Sequence, residues 1–203
     1  MTLLEITAAM QAYANQRNTA GAATMQGWYN NRNTFPYTRD NNNQPIPPAT
    51  EAYIHVYPGI VSDTLVFFVI SAYNDVSTNT NILSDIEICA TSWLDPASSG
   101  NNSTEYEYAQ YWINNYSTWI GNNISTIFQA FRVPQSDSSY GTIHNAMLAL
   151  KTNSGATGVD SDMVVQDVDG RVIEYFDTAL PVPPFPGGGG LTEADFYLYT
   201  LLT

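Results

Sequence analysis

The sequence predicts an α+β fold: a mostly antiparallel sheet of about five to seven strands, packed by an amphipathic helix near 105–120 and by an N-terminal helix. Three observations predict it. Several segments alternate apolar and polar residues with the two-residue period of a strand. Two other segments repeat apolar residues at helical spacing behind a capping box, Thr2 with Glu5 and Thr104 with Glu107. Strands and helices do not alternate as βαβ units, so a dinucleotide-binding fold is not expected.

Taken in order, Leu3, Ile6, Met10, Tyr13 and Arg17 share one helical face, which predicts a helix over 3–17. A second short helical piece is expected over 22–29. Between 30 and 50 the chain turns to Asn and Pro and reads as a long loop. Ala52, Ile54 and Val56 alternate with Tyr53, His55 and Tyr57, a half-buried strand with one aromatic face, and Pro58-Gly59 is expected to end it. Leu65 to Ile70 is apolar on both faces, as a strand covered on both sides would be. Ile82, Ile86 and Ile88 predict a third strand that also carries Asp85, Glu87 and Cys89 and ends by Trp93.

The helix over 105–120 has the strongest local signal. Ala109, Trp112, Ile113, Tyr116 and Ile120 form its stripe, Glu105 and Glu107 suit the positive end of its dipole, and Gly121 sits at the C-terminal cap. Strands are expected over 124–133 and over 142–150, the latter also compatible with a helix. Met163–Val165 and Arg171–Phe176 flank Asp169-Gly170, a hairpin signal. The organisation that follows is one domain over 1–180, a Pro/Gly linker over 181–190, and a C-terminal docking segment over 191–203 that reads as a short aromatic helix or strand.

Charge decides which ligands are excluded. Six Lys+Arg face 19 Asp+Glu for a formal net charge of -13, and Lys151 is the only lysine. Such a surface repels phosphates, so neither nucleic acid nor an anionic membrane is an expected partner. Cys89 is the only cysteine, which leaves no intrachain disulfide and no thiolate metal cluster. The first residues lack a basic region and an apolar run, and the longest apolar run is far too short to span a bilayer. No signal peptide or transmembrane segment is expected, and the protein is placed in the cytoplasm or in an assembled particle.

Candidate sites are few. Gly187 to Gly190 lack the Lys-Ser/Thr of a phosphate loop. His55, His144 and Cys89 are far apart in sequence, and both histidines read as structural. Asp160, Asp162, Asp167 and Asp169 supply hard oxygen ligands, so calcium is the one ion considered. With Gly170 at the glycine position of the helix-loop-helix calcium motif, Val165 and Phe176 replace its first and last ligands, and a plain hairpin is preferred. No other cofactor is expected. Asp85 and Glu87 are expected on one strand face, the arrangement a carboxylate-pair hydrolase needs. As neighbours of Cys89 they raise its thiol pKa and make it unreactive. Tyr108, Tyr111 and Trp119 flank the buried stripe of the 105–120 helix and are the ligand-binding candidates, suited to a sugar or a protein partner.

The function expected is a non-enzymatic structural or protein-interaction component, such as a subunit of a virion or injection particle. Its N-terminal helix and C-terminal tail are expected to dock on protein partners or on a second copy. A glycan-binding module using exposed Tyr and Trp is the first alternative, and a hydrolase using paired carboxylates is the second.

Overall fold

The computed structural model describes residues 1–19, 22–29, 32, 34–38, 53–93, 128–134, 143–152, 159–169, 172–176, 179–182 and 195–202. Within them, α1 (Leu3–Thr19) and α2 (Ala22–Tyr29) precede β1 (Thr34–Thr38), β2 (Tyr53–Val61) and β3 (Thr64–Ser71). A single turn, α3 (Ile82–Asp85), leads into β4 (Glu87–Ala90). Then come β5 (Ala130–Pro134), β6 (Ile143–Thr152), β7 (Val159–Asp169), β8 (Val172–Phe176), β9 (Leu180–Val182) and a short α4 (Tyr197–Thr200). The fold is α+β, with helices beside antiparallel sheets.

The strands build two sheets where one was expected: β1-β6-β7-β8 and β4-β3-β2-β5-β9, every pair antiparallel. The reason lies in which residues alternate. Phe35 and Tyr37 of β1, Ala146 and Leu148 of β6, and Met163 and Val165 of β7 form one apolar face. Ile54 and Val56 of β2, Leu65, Phe67 and Val69 of β3, and Phe131 and Val133 of β5 form another. The two faces meet in a shared core, because each sheet must bury its apolar side against something. The sheets are also stitched at one side. The Thr34 N–H donates to the Ser92 carbonyl at 3.1 Å, and the Ser92 N–H donates to the Thr34 carbonyl at 2.8 Å. The Thr38 N–H donates to both Glu87 carboxylate oxygens at 2.9 Å.

The five-stranded sheet is covered on its second face too. Tyr57, Phe68 and Ile70 there pack with Ile6, Ala9 and Met10 of α1 and with Phe196 and Leu198. This is why Leu65 to Ile70 is apolar on both faces: one side lies in the shared core and the other under α1. The α1 helix begins as its capping box requires. The Thr2 N–H donates to Glu5 Oε2 at 2.6 Å, and the Glu5 N–H donates to Thr2 Oγ1 at 3.2 Å. Among the described residues no helix is long and apolar enough to cross a membrane.

Several expected boundaries move. Pro58-Gly59 lies inside β2 and does not end it. β2 pairs with β5 only over Tyr53 to Val56, so Pro58 falls where the strand has a single neighbour and its missing N–H disturbs no second ladder. Gly59 is needed there because a Cβ would come within 2.5 Å of the Phe68 ring and 3.3 Å of the Ala9 backbone. The β2–β3 hairpin turns at Ser62 and Asp63, both with positive φ (48° and 59°), the geometry of a primed turn.

The 30–50 stretch read as a long loop contains β1, an edge strand whose exposed Pro36 masked the alternation of Phe35 and Tyr37. The third strand is shorter than expected, since Ile82 is buried in the helical turn α3 and Ile86 is buried just after it, before β4 starts. The 181–190 linker starts too early, because Pro181 and Val182 belong to β9 and pair with β5. The 163–176 hairpin forms, with Asp169 opposite Val172. The 105–120 helix lies outside the described residues.

Candidate functional site

The chemistry of the described residues concentrates on the outer face of the five-stranded sheet. Strand alternation brings Tyr53, His55 and Tyr57 to that face, opposite the side on which Ile54 and Val56 enter the shared core. The turn after β3 folds back on itself, with the Asn74 and Asp75 N–H groups donating to the Ser71 carbonyl at 2.9 and 3.0 Å. That turn carries Asp75 over β2. One carboxylate oxygen, Oδ2, is 2.7 Å from His55 Nδ1 and accepts the Tyr57 hydroxyl. The other, Oδ1, accepts the Leu198 N–H at 3.1 Å.

Phe196 completes the cluster. Its ring stacks on His55 with centroids 4.1 Å apart and meets Tyr57 edge-on at 6.0 Å. Exposure is 3% for His55 and Asp75 and 0% for Tyr57 and Phe196. A buried carboxylate needs donors to replace water, and here three groups supply them. Burial and the Asp75 charge push the Tyr57 hydroxyl well above its ordinary pKa, so it stays protonated and donates. Burying the Phe196 and Leu198 side chains contributes roughly 3–6 kcal/mol to holding this segment.

A histidine oriented by a carboxylate is the arrangement of a general base. In this protein the His55 ring face is capped by Phe196, and among the described residues Tyr57 and the Leu198 backbone are hydrogen-bonded to the pair. What the cluster does is clamp segment 195–202 to β2. A cavity of about 10 Å³ lies beside the clamp among Met10, Tyr13, Arg17, Gln129, Tyr199 and Leu202, room for a single water. Behind it, the Tyr13 hydroxyl donates to the Phe128 carbonyl at 3.2 Å and lies 2.8 Å from the Tyr29 hydroxyl, which ties α1 to α2.

The residues singled out from sequence fall elsewhere. Tyr108, Tyr111 and Trp119 lie outside the described residues. Asp160, Asp162, Asp167 and Asp169 all lie on β7, which pairs with β6 without interruption from Val159 to Asp167. Strand alternation then sets positions 160 and 162 on one face and 167 and 169 on the other. Asp162 is buried and accepts the Met163 N–H at 2.8 Å. Among the described residues, no three His, Cys, Asp or Glu side chains gather as metal ligands.

Asp85 and Glu87 do not share a strand face. Asp85 ends α3 and accepts the Asn79 amide at 2.8 Å, whereas Glu87 opens β4 and takes the Thr38 N–H and hydroxyl. Burial raises the Glu87 carboxyl above its ordinary pKa against the pull of the Thr38 hydrogen bonds. Cys89 lies in the shared core, and burial together with the Glu87 charge pushes its thiol up, so it stays protonated. His144 is fully buried, its ring 5.1 Å from that of Tyr37.

Asp75, Phe196 and Leu198 were not among the sequence candidates. Asp75 sits in a run of Asn, Asp, Ser and Thr that reads as an ordinary turn. Its partners are 18, 20 and 123 positions away, so no spacing rule finds them. In comparisons with protein-family models, curated proteins and solved structures, none matches this chain.

Proposed function

We propose that the protein is a non-catalytic structural component that acts through protein contacts as a subunit of an assembly. The observation that supports this reading best is the use made of the side chains able to do chemistry. His55, Asp75 and Tyr57 hold a chain segment, Glu87 joins the two sheets, and Cys89 fills the core. Each is committed to a structural contact. A second support is surface apolarity within a short stretch of sequence. Tyr73, Val76, Leu83, Ile88 and Trp93 are all exposed, on and around the edge strand β4. Aromatic and aliphatic groups left in water are what a partner surface covers.

Sedimentation velocity of the full chain over about 1–500 µM tests the reading. A discrete oligomer that grows in with concentration is expected. A monomer across the whole range overturns it.

A further inference from the structure

The seat on the outer face of the five-stranded sheet recognises a short pattern. It takes two side chains two residues apart, Phe196 and Leu198, and one backbone N–H in the first turn of α4, that of Leu198. His55 and Tyr57 read the aromatic ring, and Asp75 reads the N–H. Every copy of the chain carries both this seat and the Phe-x-Leu segment that fills it.

We propose that the seat is an exchange site: segment 195–202 of one copy occupies the seat of a second copy, and reciprocal exchange closes a two-fold dimer. The proposal rests on the structural reading above and names its partner. The same contacts form in trans as in cis, so exchange gives up none of the interactions that hold the segment. Reach allows it. Residues 183–194 join β9 to the segment, and a connection of that length extends to about 40 Å. A domain of this size is about as wide. The sequence of that connection includes four consecutive glycines, Gly187 to Gly190. Local competition in cis is strong, so exchange grows with protein concentration.

Two full-length proteins test the proposal: wild type, and a variant carrying Phe196→Ala and Leu198→Ala, whose seat is intact and whose own segment no longer fits. A dye-labelled synthetic peptide of residues 191–203 is titrated against each and followed by fluorescence anisotropy. The variant is expected to bind it saturably, and wild type at least about tenfold more weakly because its seat is filled. Light scattering coupled to size exclusion is expected to show a concentration-dependent dimer for wild type and none for the variant. If the double variant fails to fold, Leu198→Ala alone carries both readouts.

A folded variant that ignores the peptide overturns the proposal. So does a variant that assembles as well as wild type, although that result leaves the structural reading standing. A wild type that stays monomeric overturns both.

Discussion

At the scale of single residues, Asp75 is the hinge between sequence-distant parts of the chain. Its carboxylate serves the His55 ring, the Tyr57 hydroxyl and the Leu198 N–H, all out of water. Asp75→Ala removes the acceptor from all three and leaves their donors buried. A loss of about 3 kcal/mol in urea-determined stability is expected, since stranded donors next to a removed charge are among the costliest defects. A loss below about 1 kcal/mol contradicts the clamp. Glu87 gives a pH signature of the opposite kind from an ordinary stabilising carboxylate. Burial raises its folded pKa, so the folded state holds that proton more tightly than the unfolded state does. Its contribution is complete below the ordinary carboxylate range and drains away as pH rises through the raised value. Glu87→Gln abolishes that drain. Urea melts at pH 4 and pH 7 are expected to show the variant gaining on wild type as pH rises, whereas a difference independent of pH contradicts the assignment.

At the scale of elements, close approach is the recurring constraint. α1 lies on β2 at Gly59, where any Cβ meets the Phe68 ring and the Ala9 backbone. Gly59→Ala is therefore expected to cost about 2 kcal/mol and to lower the melting temperature, because the core admits no extra methyl without shifting the helix. An unchanged melting temperature would show that α1 sits farther away. Local signals made some of these elements legible. The Thr2–Glu5 capping box and the Ile6–Met10–Tyr13 face declare α1 within a few residues of chain. The doubly apolar run at Leu65 declares a strand with two covered faces. β1 and α3 are too short to carry a period of their own. Pro36 in one, and burial at Ile82 in the other, take their meaning from neighbouring strands.

At the scale of the whole molecule, the described residues stack as sheet, sheet, and then helix with segment 195–202. The α+β class was readable because antiparallel alternation and capped helices are local facts. The number of sheets was not, because the choice between one sheet and two depends on which apolar faces find each other. The candidate site shows the same division. His55 and Tyr57 were visible as one aromatic strand face, but the carboxylate that joins them to Leu198 lies in a turn without periodicity. A net charge of -13 on 203 residues gives this chain few cations with which to hold a buried carboxylate. Asp75 relies on neutral donors and a histidine instead, which makes the Leu198 N–H part of its solvation.

Hydrogen exchange at the Leu198 amide tests that claim most directly, measured by NMR on the full chain and on Asp75→Ala. Wild type is expected to protect this amide at least about a hundredfold over its unfolded rate, with the protection lost in the variant. Free exchange of the Leu198 amide in wild type would contradict it.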